Sequence, residues 1–225
     1  MKVVNGLSIK NMPWEDKPDG YTKPFWRYTK NPVINRDPSE NLSRVFNSSV
    51  VPYGDDFIGV FRGEQNDGIP FLYVGRSKDG LHFEFDKEPI KFYNEKGELQ
   101  ISGYQYDPRL VLIDDKYYIT WCDDYHGPVI AIAYTKDFVN FIKVDHPFIP
   151  CNRNGVLFPR KINDYYLMIS RPSDNAHTAF GDIFISKSKD KSITIIKMDV
   201  LTKEKNEYML PKDFINKYHK YLTEY

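Results

Sequence analysis

"RLVLIDDKYYITW" (Arg109–Trp121) reads as two short strands around a polar turn, and the chain repeats that form twice more. "SSVVPYGDDFIGVFR" (Ser48–Arg62) and "VLFPRKINDYYLMISR" (Val156–Arg171) share it. In each, β-branched and aromatic residues alternate with others and Gly, Asn or Asp marks the turn. Each hairpin is followed by a second motif of strand, Ser/Thr-Lys-Asp and strand. These are "FLYVGRSKDGLHFEF" (Phe71–Phe85), "VIAIAYTKDFVNFIKV" (Val129–Val144) and "DIFISKSKDKSITIIKM" (Asp182–Met198). Their aspartates, Asp79, Asp137 and Asp190, recur at roughly 55-residue intervals. Two hairpins per repeat make a four-stranded unit, the blade of a β-propeller. A β-sandwich, the competing all-β architecture, predicts no such paired repetition.

About three blades fit between residues 45 and 198, fewer than the four to eight that close a ring. After them, Phe214, Tyr218 and Tyr221 follow Pro211 at i, i+4, i+7 spacing, which predicts a short amphipathic helix. The expected organisation is one all-β, partial propeller domain over 1–225. It includes an N-terminal extension over 1–30 and a divergent helical tail over 199–225.

Thirty-one basic side chains balance thirty-one acidic ones. That argues against a nucleic-acid or anionic-membrane partner and suits a small neutral or singly anionic ligand. Aromatics reach 16%, with 17 Tyr and 15 Phe. They fit β-propensity first and sugar binding second. Cys122 and Cys151 match no metal spacing and no disulfide framework, which suits a reducing cytoplasm. No apolar run approaches the ~20 residues needed to span a bilayer.

In a hairpin, the start of the first strand and the end of the second lie at one end of the sheet. Asn47, Ser48, Arg62 and Glu64 flank the first hairpin in this way. Asp107, Arg109, Asp123, Asp124 and His126 flank the second, and Asn152, Arg153, Asn154, Arg171, Asp174 and His177 the third. All three sets should face a common mouth. Asp79, Asp114, Asp115 and Asp137 fall at the opposite turns and read as solvated turn residues. Asp107 precedes Pro108, which favours an extended backbone there, with an ion pair to Arg109 as the competing role. Arginines beside a histidine in a concave site suit an oxyanion, because guanidinium is a planar double donor. His82 and His146 read as packing or surface residues. There is no Gly-rich phosphate loop, metal cluster or nucleophile elbow.

The ordered motifs "YDPR", "YITWCDDYHGP", "NRNGVLFPRKI" and "ISRPSDNAHTAFGDIF" closely resemble the inverting β-mannoside phosphorylases of glycoside hydrolase family 130, over about residues 25–190. The resemblance is nearest to the mannosylglucose phosphorylase branch. It implies a five-bladed propeller with a central active site, and Asp107 as the acid that protonates the glycosidic oxygen through the 3-hydroxyl of the bound mannose. It further implies phosphate binding by Arg153, Arg171 and His177, and sugar contacts from Asn47, Ser48, Arg62, Arg109, Asp124 and Lys161. No metal or organic cofactor is implied, and inorganic phosphate is the co-substrate. After "DIFISKSKD" the sequence departs from the family, which suggests a C-terminal truncation. An open ring exposes sheet edges, so a homo-oligomer is expected.

Phosphorolysis makes chemical sense of this set. An inverting glycosidase needs one carboxylate as acid and another to activate water. Phosphate is already a nucleophile, so one aspartate among cations suffices. The expected reaction converts β-1,4-mannosyl-glucose and phosphate to α-mannose 1-phosphate and glucose. A β-mannoside hydrolase and an inactive carbohydrate-binding remnant are the alternatives.

Overall fold

The alternating hairpins form the expected strands, and the sheets they build stand side by side as propeller blades. The structure, a computed structural model, describes residues 15–173, 183–189 and 197–200, with no side-chain account of the last four. Blade 1 has the order β1 (Arg44–Tyr53), β2 (Asp56–Glu64), β3 (Pro70–Ser77) and β4 (Glu84–Phe85). The link to blade 2 contributes a small hairpin, β5 (Phe92–Tyr93) and β6 (Leu99–Gln100). Blade 2 follows as β7 (Gln105–Ile113), β8 (Lys116–Asp124), β9 (Pro128–Thr135) and β10 (Phe141–Asp145). β5 lies parallel to β10, so this sheet has six strands. The sequence repeat did not announce that addition. Blade 3 runs β11 (Asn152–Leu157), β12 (Tyr166–Pro172), β13 (Phe184–Ser188) and β14 (Lys197–Val200).

Strand alternation sends one set of side chains from each blade towards its neighbour. Ile58, Val60, Leu72 and Val74 of blade 1 pack on Ile119, Trp121, Ala131 and Ala133 of blade 2. Phe92 from the added hairpin stacks on Trp121 at 4.4 Å. On the other face of blade 2, Tyr118, Ile130 and Ile132 meet Leu157, Tyr166 and Met168 of blade 3. The blades are also hydrogen-bonded to one another. Leu110 N donates to Ser49 Oγ at 3.0 Å, and Thr120 Oγ1 donates to the Gly155 carbonyl at 2.8 Å.

The Ser/Thr-Lys-Asp motifs are turn clamps. Asp79 Oδ1 accepts the Leu81 and His82 amides, and Asp137 Oδ1 accepts those of Val139 and Asn140. These amides hold both carboxyls well below the ordinary range. The expectation of merely solvated turn residues is thereby refined, and Asp190 lies outside the described residues. The helix expected near 211–221 also lies outside them. Among the described residues there is no helix long and apolar enough to cross a membrane.

Candidate functional site

Each inner strand departs from ladder register at the same level. The shift falls between Phe46 and Ser48 on β1, between Tyr106 and Arg109 on β7, and between Asn152 and Asn154 on β11. The residues released from pairing are Asn47, Asp107 with Pro108, and Arg153. A bulge frees a side chain from strict alternation and re-aims it. Here it does so three times at one mouth, with an amide, a carboxylate and a guanidinium. Pro108 has no amide to contribute to a ladder, so a bulge suits it.

Asp107 is the centre of the cluster. Its Oδ1 accepts Asn47 Nδ2 at 2.8 Å and Arg62 Nη1 at 3.3 Å, so blade 1 supplies both donors. Its φ is +55°. The extended conformation expected before proline is therefore wrong, because the bulge requires a left-handed residue and aspartate tolerates one. No Asp107–Arg109 pair forms either. Arg109 turns back and donates to the Pro108 carbonyl at 2.8 Å, bracing the bulge.

Both terminal nitrogens of Arg62 are held, while its buried Nε has no hydrogen-bond partner among the described residues. Its Nη2 donates to buried Glu64 at 2.8 Å, and Arg44 approaches the same carboxylate at 3.5 Å. Its guanidinium carbon lies 5.1 Å from the Phe46 ring and 5.3 Å from the Tyr106 ring, within cation–π range of both. Tyr106 continues the chain of contacts, since Arg153 Nη1 donates to its hydroxyl at 3.5 Å. Burial pushes that phenol well above its usual range, so it remains neutral between the two arginines. Burial likewise pushes the neighbouring Cys122 thiol up to about 12. Tyr106 had no assigned role in the sequence reading. Alternation alone could not reveal it, because the bulge beside it sets its direction.

Other expected residues are not gathered so closely. Ser48 is exposed beside the first bulge. Asp124 is exposed at the rim, its Oδ2 against Gly103, where a Cβ would lie only 2.5 Å away. Asp123, expected at the mouth, is instead buried on the opposite face of β8. It accepts Lys143 Nζ at 2.5 Å and His146 Nε2 at 2.8 Å. Burial alone would raise its pKa, but the His146 hydrogen bond and the Lys143 charge hold it well below the ordinary range. His146 is thus a hydrogen-bond partner of Asp123 rather than plain packing, and Tyr125 stacks on it at 4.4 Å.

Lys161 is a correction. It pairs with Asp114 at 2.8 Å, in the β7–β8 turn at the end of the sheet away from Asp107. At about 3.3 Å per strand residue, that turn lies roughly 20 Å from the mouth. The cause is chain direction: β11 leaves the mouth, so the connection that follows it lies at the far end. Arg171 stands opposite Asn154, next to the third bulge. Tyr166 and Met168 face blade 2, so alternation puts Arg171 on the other face of β12. Arg153 reaches towards Tyr106 of blade 2. His177 lies outside the described residues. Among the described residues no group of His, Cys, Asp and Glu is arranged to hold a metal.

A family model for glycoside hydrolase family 130, described as beta-1,4-mannooligosaccharide phosphorylase, matches residues 8–218. The chain is 46% identical over 196 residues to a beta-1,4-mannooligosaccharide phosphorylase of Ruminococcus albus, a match covering 84% of this chain and 58% of that protein. It is 34% identical over 123 residues to a beta-1,2-mannobiose phosphorylase of Listeria innocua, covering 54% of this chain and 34% of that protein. The chain therefore spans well under two thirds of the curated relatives it matches. Its fold is similar to a solved Listeria innocua beta-1,2-mannobiose phosphorylase bound to beta-1,2-mannobiose. That similarity has a TM-score of 0.63 at 22% identity, over 81% of this chain and 68% of the other.

Proposed function

The chain belongs to glycoside hydrolase family 130, and on that premise we propose that it acts as an inverting phosphorylase of β-1,4-linked mannosides. The mannosyl unit passes to inorganic phosphate as α-mannose 1-phosphate. The observation that carries this reading is one carboxylate, Asp107, set among cations by the matched bulges. Its two protein bonds both go to Oδ1, which leaves Oδ2 to serve the substrate. A phosphate oxygen forms the new bond to C1 from the face opposite the leaving oxygen. Asp107 supplies the proton that the departing oxygen takes up, and the proton carried by hydrogenphosphate balances the exchange. Arg153 holds the phosphate, with Arg171 and His177 as further proposed contacts. Asn47, Arg62 and the rim residues Ser48 and Asp124 contact sugar.

Hydrolysis would require a second carboxylate free to activate water. Glu64, the next carboxylate along this cluster, is buried and bonded to Arg62 and Arg44. That removes Glu64 as a base for water. The acceptor product expected from the sequence is glucose, from β-1,4-mannosyl-glucose. The 46%-identical relative is named for mannooligosaccharides, so both substrate types belong in the assay. Assembly with a second copy in the cytoplasm is part of the proposal and is checked by light scattering.

The test is to incubate the chain with mannosyl-glucose or β-1,4-mannobiose, with and without phosphate, and to follow mannose 1-phosphate by phosphorus NMR. Phosphate-dependent turnover is expected. Phosphate-independent release of mannose would make it a hydrolase, and sugar binding with no turnover a binding module. Asp107→Asn should lower kcat at least ~10²-fold, the usual scale of general-acid catalysis. A variant keeping a tenth of the rate would remove Asp107 from this role.

A further inference from the structure

Beside the Arg62–Asp107 pair, a cleft of about 510 Å³ separates the β2–β3 connection from the segment entering β7. Asp67, Ile69 and Pro70 line one wall, Tyr104 and Tyr106 the other, and Arg62 the inner end. The volume lies within the usual range for small-ligand sites. The centroids of the two tyrosine rings lie 5.7 Å apart with their planes inclined at 32°, and both residues line the cleft. Both are only part-buried, and Ile69 opposite them is 41% exposed. The facing loop is built rather than slack. Asp67 Oδ1 accepts the Ile69 amide at 2.9 Å, Gly68 takes a φ of +76°, and Gln65 Nε2 donates to the Tyr73 hydroxyl at 2.9 Å.

An aromatic wall, an apolar ledge and a carboxylate at the edge are the groups that recognise a pyranose. The ring's C–H face lies on the aromatics, and its hydroxyls meet the polar rim. Arg62 belongs both to this cleft and to the Asp107 cluster. A chain of sugars with one unit at Asp107 can therefore enter the cleft without leaving the protein surface.

We propose that this cleft is a distal pyranose subsite, occupied by a sugar unit of a β-mannoside longer than a disaccharide, with Tyr104 as its stacking platform. The proposal rests on the phosphorylase reading for its substrate, but its test does not rest on turnover. Binding of β-1,4-mannotriose and β-1,4-mannobiose is measured by calorimetry without phosphate, on the whole chain. The wild type should bind the trisaccharide more tightly. Tyr104→Ala should remove roughly 3- to 10-fold of trisaccharide affinity, the scale of one lost stacking contact, and change disaccharide affinity less. Ile69→Trp fills the cleft from its exposed wall and should give the same selective loss, which guards against misfolding of the first variant. If turnover is present, the ratio of kcat/KM for trisaccharide over disaccharide should fall in both variants. If turnover is absent, the phosphorylase reading fails while the binding difference still decides the subsite. Equal wild-type affinities for the two sugars overturn the proposal. Variants that bind the trisaccharide as the wild type does, or weaken both sugars alike, also overturn it.

Discussion

Replacing Lys143 with Met should destabilise the protein by about 3–5 kcal/mol, the usual consequence of removing one partner from a buried ion pair. The burial is direct: the Asp123 side chain is 1% exposed and that of Lys143 9%. Methionine keeps most of the apolar stem and takes away the charge, leaving the hydrogen bond from His146 on the Asp123 carboxylate. Asp123 Oδ1 already has no hydrogen-bond partner among the described residues, so the carboxylate is under-satisfied even before Lys143 is removed. For a chain of this size, 1 kcal/mol corresponds to roughly 2–4 °C in Tm, which predicts a fall of about 6–20 °C. Urea and thermal unfolding followed by circular dichroism at neutral pH measure it. The double variant Asp123→Asn, Lys143→Met removes both charges and should recover much of the loss. A single variant within about 1 kcal/mol of wild type would refute the argument, as would a double variant no more stable than the single.

Acid gives a second readout of the same network. The Asp123 carboxyl is held below its ordinary range in the folded chain. A depressed folded pKa contributes stability that is fully present above the unfolded value, near 3.9, and lost as pH falls towards the folded value. Wild-type stability should therefore decline below about pH 5 more steeply than that of the double variant.

Arg153→Lys should raise the KM for phosphate about 10- to 150-fold, because a lysine cannot reproduce the planar double donor. Steady-state kinetics in which sugar KM rises and phosphate KM does not would take Arg153 off the phosphate. Ser49→Ala leaves the amide of buried Leu110 without its acceptor and should cost about 1–3 kcal/mol in urea unfolding. Ser48→Ala, at the exposed neighbouring position, should stay within about 0.5 kcal/mol of wild type.

The blades were legible in the sequence because each depends on local signals that repeat, namely alternation, polar turns and the Ser/Thr-Lys-Asp clamp. The family-matched Asp107, Asn47 and Arg62 do meet at the mouth. What escaped the reading depends on pairing rather than pattern. The "LQ" and "FY" strands that widen blade 2 are two residues each and acquire strand character only through pairing, "FY" beside β10 and "LQ" beside "FY". Asp123 and Asp124 are adjacent in sequence and look equivalent, yet alternation sends one into a buried ion pair and the other to the rim. Lys161 lies eight residues beyond Arg153, and following the chain through β11 carries it to the far end of the blade.

The matched bulges give the deeper reason why the mouth could be located but not drawn. On an inner strand in strict register, each side chain points towards one neighbouring blade or the other. A polar residue there would be driven into the interfaces filled by Trp121 and Ile130. Burying a charge in that way is costly unless it is paired. One extra residue per inner strand releases Asn47, Asp107 and Arg153 from this choice. Asp107 then sits at a left-handed φ where a β-branched residue would be strained. The backbone irregularity is common to the three blades and the chemistry is not. Similar hairpins thus deliver an amide, an acid and a cation to one point. Sequence reports these three residue types plainly. The register shift that brings them together is fixed only when the strands pair.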